Sequence, residues 1–575
     1  VTALVARPLP QHRRVDQRHQ LIAVAHLRLM IVMLLFAAGV TLVLGRLVML
    51  GFTAEAPDRS GAGASLVGRD DIVDRNGAPL ARTIEAWAIG VQPEKVLGDK
   101  LALAENLADL MPDHDASYFY ALLTKPVRFT YLERHASPAL VNAVHALGEP
   151  GLTFGREAER LYPQSTLAAH VLGYIGPSGD DPTVLGRAGV ERAFEDRLID
   201  PAYHGQPLAL SIDARVQAAL ESELGHAMAT MQAKGATGVV LDVDTGEVLS
   251  MVSMPTFNPN RLQGANAEAL RNNVTQSVYE LGSTFKPIAM ATAIDTGVVT
   301  DMARRFDATK PLHVGGFTIH DHDGENRWLD IPETLIHSSN IATARIADEI
   351  GKDRMQAMFK ALGFDTRPDI ELKEKGRPIW PTYWARTTVM TTAYGHGIAV
   401  TPLQLASAYA TMVNGGTWRP ATLMKLAPGR APQGRRVLSE ATSARMRQLL
   451  RLIVTQGTGR KGEAPGYRVG GKTGTAEVSG KGGYSRNTNV STFAAAFPMD
   501  RPRYVVVAML DSPKRVQENS FQTTAAYTAA PVVSRFILRA GTMLGVMPDE
   551  TKDIDVSELL PLLWRQPNEN GKDPE

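Results

Sequence analysis

The sequence predicts an α+β protein with a single N-terminal transmembrane helix, a mixed α/β module, and a larger C-terminal domain built on one sheet covered by helices. Three observations carry this. An uncharged apolar run occupies residues 29–45 behind a basic flank. Strand-like and helix-like stretches mix between residues 67 and 222. Beyond residue 225, β-rich stretches stand at both ends of a helical middle, so one sheet must be assembled from pieces distant in sequence. The chain has 575 residues, more than one ordinary core can hold. Hydrophobic content of 44% with 21% charged residues is globular. A formal net charge of +1 gives no global attraction for nucleic acid. The chain has no cysteine, which excludes disulfides, thiol catalysis and cysteine-ligated metal centres.

The elements follow in order. Residues 1–28 carry Arg7, Arg13, Arg14, Arg18 and Arg28 against Asp16, a tail expected on the cytoplasmic side. Residues 29–50 are long enough to span a bilayer, with Arg46 snorkelling to the far surface. The run is long for a cleaved signal and lacks a small-x-small exit site, so an uncleaved anchor is expected, with everything after residue 52 outside the cytoplasm. Residues 51–66 read as linker. Residues 67–222 form a non-catalytic pedestal: an Asn76-Gly77 turn, a strand near 87–91, a mostly helical stretch over 98–150, and extended pieces at 152–162, 171–176 and 205–212. Leu101, Leu103, Leu107 and Leu110 recur at helical spacing. Residues 223–548 form the second domain, with a hairpin over 237–254, a helical and loop-rich middle over 270–415, strands at 467–478, 489–497 and 504–510, and a closing helix within 523–545. Residues 549–575 read as a polar, loosely held tail.

One stretch concentrates chemistry. In Tyr279-Glu280-Leu281-Gly282-Ser283-Thr284-Phe285-Lys286-Pro287 a lysine follows a serine by three positions, at the head of an apolar helical run over 288–294. One helical turn lets Ser283 and Lys286 share a face. A serine hydroxyl needs an adjacent base to act as a nucleophile. A lysine serves as that base only where burial or neighbouring positive charge lowers its pKa. The pair therefore predicts a partly closed site. A second cluster, His337-Ser338-Ser339-Asn340, precedes a helical stretch over 341–349, and a third, Gly470-Gly471-Lys472-Thr473-Gly474-Thr475-Ala476, lies on a strand.

Ser-x-x-Lys, Ser-x-Asn and Lys-Thr-Gly in this order resemble the signature of penicillin-binding proteins and serine β-lactamases. The resemblance implies that domain's antiparallel sheet covered by helices, and a role for each residue. Ser283 attacks a carbonyl and forms an acyl-enzyme. Lys286 takes its proton, with a pKa lowered by desolvation and by Lys472. Ser338 passes a proton to the leaving amine, and Asn340 holds Lys286 and the substrate amide. Lys472 and Thr473 read a terminal carboxylate, and Gly474 keeps the strand clear for a peptide. The backbone N–H groups of Ser283 and Thr475 form the oxyanion hole. The implied reaction is attack on D-Ala-D-Ala, release of the last D-Ala, and capture by an amine of a neighbouring stem peptide, with no metal or organic cofactor. β-Lactams are the implied covalent inhibitors.

The tail, anchor, pedestal and C-terminal domain together resemble a class B penicillin-binding protein. Arg69-Asp70-Asp71-Ile72-Val73-Asp74-Arg75-Asn76-Gly77 is similar to a family stretch in which glycine stands where Asp70 is, which puts the local turn in question. Arg160-Leu161-Tyr162-Pro163 and Gly186-Arg187-Ala188-Gly189-Val190-Glu191 resemble pedestal motifs, and residues 394–404 resemble a stretch that lines or supports the site. Leu281 replaces the common proline before Gly282, so a less rigid approach to the helix is expected. The compact pedestal is most like the division-specific FtsI type, with the elongation-specific type as the alternative. The resemblance implies residence in the bacterial inner membrane, at the septum, beside an FtsW-type glycan polymerase and other division proteins.

Other readings of the same motifs are a D,D-carboxypeptidase, a β-lactamase, and a non-enzymatic sensor or scaffold. His320-Asp321-His322-Asp323 reads as a solvated turn rather than a metal site. His337 and His396 read as structural, and Glu477 as a partner in an ordinary ion pair. Residues 457–460 and 480–483 read as mobile loops beside the site, not phosphate cradles.

Overall fold

The computed structural model describes residues 13–53, 68–178, 181–480 and 483–564. The expectations for residues 1–12, for 54–66 of the linker, for 481–482 and for 565–575 lie outside the described residues.

The chain divides into two units. Of the described residues, the first comprises 13–53, 89–132 and 142–153. Its N-terminal helix, Arg13–Thr53, is 41 residues long. Within it Ile22–Arg46 is long and apolar enough to cross a membrane. The apolar stretch starts before Leu29 because Ile22, Ala23, Val24, Ala25 and Leu27 extend it past Arg28. The helix also continues through Gly51, Phe52 and Thr53, where linker was expected. Helices Lys100–Leu110 and Ala116–Thr124 begin on Asp99 and Asp115, whose carboxylates accept from the Leu101 and Tyr118 N–H groups, both at 2.9 Å. Leu103, Leu107, Phe119 and Leu123 are buried, whereas Leu101 is exposed despite its spacing. The stretch 98–150 is not continuously helical. The β-favouring Thr130 and Tyr131 open a strand, Thr130–Ala136, before a further helix at Pro138–His145.

Of the described residues, the second unit comprises 68–88, 133–141, 154–178, 181–480 and 483–564. The expected turn is present. Gly77 takes a φ of +88°, and Asp74 Oδ1 accepts from the N–H groups of Asn76 and Ala78 at 2.8 Å each. Strand Ile72–Val73 runs antiparallel to Pro79–Val91 and parallel to Leu208–Ala209. The three pedestal motifs converge on one buried carboxylate. Arg69 Nε donates to Glu191 Oε2 at 2.6 Å, Arg160 Nε to Glu191 Oε1 at 2.7 Å, and Tyr162 Oη to the same oxygen at 3.2 Å. Arg69 also makes a two-pronged contact with Glu195 at 2.8 Å. Asp70 does not sit in a turn that needs glycine. It is buried, accepts from Arg197 Nη1 and from the Gly205 N–H, each at 3.0 Å, and so ties the start of the module to its end.

The larger sheet of the C-terminal domain has five antiparallel strands in the order Gly470–Gly480, Gly483–Phe497, Tyr504–Asp511, Gly235–Asp242, Val248–Met254. The register pairs Thr473 with Phe493, Val507 with Val239, and Val239 with Met251. Both faces are covered, so the strands read as continuous apolar runs rather than alternating ones. Val505, Val507 and Met509 face the core that holds helices Lys286–Asp295 and Pro402–Val413. Tyr504, Val506, Ala508 and Leu510 face the core of helices Ala214–Thr230 and Ala529–Ala540.

The tail expectation fails for residues up to 564. Leu559 is 1% exposed, Ile554, Val556, Leu560 and Leu563 pack on the same core, and Arg451 binds the Asp553 carboxylate through Nε and Nη2. These apolar residues are spaced among acids and one proline, which hid them in the composition. The segment ends on the helical middle, where the Trp564 N–H donates to Glu333 Oε1 at 2.8 Å.

Glu191→Ala would leave buried Arg160 without a carboxylate and Arg69 with Glu195 alone. It is expected to destabilise the unit by about 3–5 kcal/mol, the usual result of breaking a buried ion pair. Thermal denaturation of the detergent-solubilised chain should show a lowered midpoint.

Candidate active site

Ser283 lies on a short 3-10 turn, Gly282–Phe285, that runs straight into helix Lys286–Asp295. Pro287 occupies the first helical turn, where no N–H is needed. The turn is fixed from behind. Phe285 packs against Phe359 and Phe364 at ring distances of 5.8 and 5.4 Å. The Tyr409 hydroxyl donates to the Thr284 carbonyl at 2.9 Å, and Thr284 Oγ1 to the Leu281 carbonyl at 2.9 Å. Leu281 has a φ of −99°, away from the angle a proline ring imposes. Its side chain is buried, so packing defines the approach to the helix where a ring would otherwise do so.

The third motif abuts this turn backbone to backbone. A β-carbon on Gly474 would stand 2.4 Å from the Leu281 carbonyl oxygen and 2.7 Å from Thr284 Cγ2. Gly282 has a φ of +55°, and a β-carbon there would come within 2.9 Å of the Thr475 carbonyl oxygen. Two glycines therefore permit the contact. Strand Gly470–Gly480 is at the sheet edge, so among the described residues one side of its backbone has no neighbouring strand. The Thr475 carbonyl faces the turn on that side. In a strand the N–H and C=O of one residue point the same way, so the Thr475 N–H leaves the same edge.

Lys286 and Lys472 are both fully buried. Lys286 Nζ donates to Ser338 Oγ at 3.0 Å and to the Ser338 carbonyl. Burial drives its pKa far below the ordinary lysine value, the charge of Lys472 lowers it further, and Asp321 opposes both. A neutral amine has two N–H bonds and a lone pair. With Ser338 taking both donors, the lone pair is left for a third partner. Ser338 itself has a φ of +58°, left-handed for a residue with a β-carbon, directly after helix Ile331–Ile336. That conformation costs about 1–2 kcal/mol. It accompanies the meeting of both Ser338 oxygens with one amine. Lys472 Nζ donates to the Thr473 carbonyl at 2.9 Å, and burial lowers its pKa to about 7. Thr473 Oγ1 donates to Thr458 Oγ1 at 3.0 Å, which makes Thr458, from the stretch read as a loop, part of the same wall.

Ser283, Ser338, Asn340, Thr473 and Thr475 line one cleft of about 660 Å³. Lys286 and Lys472 lie buried beneath it, and Gly474 lies in the seam. The arrangement suits nucleophilic acyl transfer: a hydroxyl, an uncharged amine one turn away, and a free strand edge to align an extended peptide.

Two expectations change. Asn340 Nδ2 donates to the His320 carbonyl at 2.9 Å and not to Lys286. Asp321 is not part of a solvated turn, although His322 and Asp323 beside it are exposed. Its carboxylate accepts from Ser339 Oγ at 2.8 Å and from the N–H groups of Asn340 and Ile341. No local spacing connects residue 321 to a helix start 19 residues on, so the sequence carried no signal for this contact. His337 lies between Glu325, 2.9 Å from Nδ1, and Arg327, 3.3 Å from Nε2. Burial holds its pKa below the ordinary value. Burial likewise lowers His396, against the charge of Glu280. Glu477 lines the cleft, and its charge acts on His396 in the same sense as Glu280.

Comparison with known proteins shows the family. The penicillin binding protein transpeptidase domain matches residues 236–537, and the penicillin-binding protein dimerisation domain matches residues 65–200. The chain is 41% identical over 489 residues to the probable peptidoglycan D,D-transpeptidase FtsI of Caulobacter vibrioides, covering 83% of this chain and 82% of that one. It is 30% identical to the peptidoglycan D,D-transpeptidase FtsI of Escherichia coli, covering 78% and 79%. The crystal structure of penicillin binding protein 3 from Mycobacterium tuberculosis, complexed with aztreonam, superposes with a TM-score of 0.64 at 26% identity, covering 84% of this chain and 96% of that one.

The buried lysines set a pH dependence of stability. Lys472 has a pKa of about 7 when folded against an ordinary 10.5. Between those values the unfolded chain holds the extra proton, so the burden of burial is full below pH 7 and vanishes as pH rises through 10.5. Lys472→Met is therefore expected to raise the melting temperature of the catalytic domain at neutral pH. Calorimetry from pH 7 to 10 should show the advantage shrinking steadily.

Proposed function

The chain belongs to the class B penicillin-binding proteins and carries a serine-type D,D-transpeptidase domain, and from that premise we propose how its own residues perform the reaction. The observation that carries the proposal is the buried amine of Lys286, held by Ser338 one helical turn from Ser283. A stem peptide ending in D-Ala-D-Ala lies along strand Gly470–Gly480, with its terminal carboxylate at Thr473 and the Lys472 end of the cleft. Ser283 Oγ attacks the penultimate carbonyl while Lys286 Nζ accepts the hydroxyl proton. The oxyanion is met by the N–H groups of Ser283 and Thr475. Ser338 relays the proton from Lys286 to the departing D-Ala nitrogen as the C–N bond breaks, leaving an acyl ester on Ser283. An amine of a second stem peptide then attacks the ester, gives its proton back along the same path, and forms the cross-link as the seryl oxygen leaves. Asn340 borders the cleft beside the substrate amide. A β-lactam carbonyl enters the same first step, and its ring nitrogen stays tethered.

The assignment extends to the rest of the chain. Residues 223–548 are the catalytic domain, 67–222 the pedestal, and 29–50 the core of an inner-membrane anchor whose basic tail stays in the cytoplasm, so catalysis is periplasmic. The reaction serves the division septum, with an FtsW-type polymerase supplying nascent glycan. The resemblance of the compact pedestal and the identity to FtsI proteins support this reading. A functional fluorescent fusion should concentrate at midcell and depletion should give filaments. Peripheral signal and rounded cells would assign elongation instead.

Ser283→Ala is expected to abolish covalent penicillin labelling while leaving the melting transition intact, and peptide mass spectrometry of the labelled wild type should find the adduct at position 283. Lys286→Ala should keep the fold and lose acylation.

A further inference from the structure

Asp321 was read from sequence as one of four polar residues in a turn. In the structure its carboxylate spans the junction at which the second motif is built. Oδ2 accepts from the Ser339 hydroxyl at 2.8 Å, and Oδ1 accepts from two consecutive backbone N–H groups, Asn340 and Ile341. The preceding residue, His320, takes the Asn340 side-chain amide on its carbonyl at 2.9 Å. Two successive loop residues thus hold the residues on the C-terminal side of Ser338. Ser339 in turn caps the helix Asn340–Ala361 by accepting from the Ala342 N–H at 3.0 Å. An anion at a helix start is favourably placed against the helix dipole, and its hydrogen bonds are charge-assisted.

Ser338 is left-handed and is followed at once by this stapled segment. A left-handed serine persists only where its neighbours leave it no alternative. On its N-terminal side, the Ser338 and Ser339 N–H groups close onto the carbonyls of Leu335 and Thr334 at 3.2 and 3.0 Å. Asp321 supplies the other side. Its charge also acts on Lys286, in the direction opposite to burial and to Lys472. The charged and titratable groups around that amine are Lys472 on the edge strand, Asp321 on this loop and His396 across the cleft, the last facing Glu280 and Glu477.

We propose that Asp321 is a positioning residue for acylation: its carboxylate staples Ser339, Asn340 and Ile341 and so holds Ser338 against Lys286. This rests on the reading of Ser283 and Lys286 given above. With the carboxylate in place, both Ser338 oxygens meet the amine and its lone pair is directed. Without it, the serine can relax to a right-handed or extended conformation, and the amine loses a partner while becoming easier to deprotonate.

The test measures the rate of acylation of the full chain in detergent by a fluorescent penicillin, as a function of pH, for wild type, Asp321→Asn, Asp321→Glu and Ser339→Ala, with thermal melts in parallel. Asp321→Asn should acylate on the order of 10–100-fold more slowly, as expected for lost charge-assisted hydrogen bonds. The acid limb of its pH profile should move to lower pH, because the anion that favoured the ammonium form is gone. Asp321→Glu keeps the charge and should recover part of the rate with the wild-type limb. Ser339→Ala removes one of the carboxylate's hydrogen bonds together with the cap on the Ala342 N–H and keeps the charge, so it should slow acylation modestly without moving the limb. An Asp321→Asn rate and limb equal to wild type would overturn the proposal, as would a slowed rate with an unmoved limb, which describes a merely structural residue. Should Asp321→Asn fail to fold, Ser339→Ala decides, and an unchanged rate there overturns the positioning role. If the wild-type chain itself forms no adduct, the reading of Ser283 fails; if it does and Asp321→Asn matches it, only the role of Asp321 falls.

Discussion

Two amines, Lys286 and Lys472, are sealed in the interior of one domain; burial lowers the pKa of both, and the charge of Lys472 lowers that of Lys286 further. Water solvates an ammonium far better than a protein interior does, so burial favours the neutral form. Such burial is unfavourable for folding, and an uncharged amine is the form able to accept a proton from a serine hydroxyl. The surrounding structure supplies the rest. Helix Lys286–Asp295 carries the amine inward, the aromatic group of Phe285, Phe359 and Phe364 closes over its start, and Ser338 occupies its two donors.

The sheet explains how three motifs distant in sequence come to one cleft. Its central strands pack cores on both faces, while strand Gly470–Gly480 stays at the edge with its outer backbone, among the described residues, unpaired by another strand. An exposed edge is ordinarily a hazard that invites pairing with another chain. Here the edge meets the nucleophile turn through Gly474 and Gly282 and opens onto the cleft, so strand addition becomes a way to hold an extended substrate. The same closeness fixes the distance between Ser283 and the Thr475 backbone, since neither glycine can gain a β-carbon without parting strand from turn.

Much of this was legible in the sequence because the signals were local. Ser283 and Lys286 are one turn apart, the apolar strands bracket a helical middle, and the buried Arg69–Glu191–Arg160 web sits on stretches whose pattern was visible. What was not legible depends on contacts between residues far apart. Asp321 looks like its exposed neighbours His322 and Asp323 until the fold brings a helix start to it. Asp70 looks like a lost glycine until Arg197 is placed beside it. Asn340 has two possible partners in the motif, and only the loop at His320 selects one. Residues 549–564 have the composition of a free tail, but Leu559 finds a pocket in the core that composition could not reveal.

The second motif shows why a short signature suffices in some places and not in others. Ser338 must present a hydroxyl and a carbonyl to the same amine, and the left-handed backbone that accompanies this is disfavoured for any residue with a β-carbon. The strain is held from both sides. The end of helix Ile331–Ile336 closes on Ser338 and Ser339, and Asp321 holds Ser339, Asn340 and Ile341. The helix end is itself braced. Glu333 binds Arg327 at 2.8 Å, Arg327 reaches His337 at 3.3 Å and stacks on Trp564, and the Trp564 N–H returns to Glu333 from 231 residues away. A serine, a spacer and an asparagine therefore fall at the cleft, while the conformation of the serine is enforced by a loop and a C-terminal segment that the signature does not contain. Changes in those supports act on the reactive amine without touching the signature, because the position of Ser338 is a property of the assembled domain rather than of its own three residues.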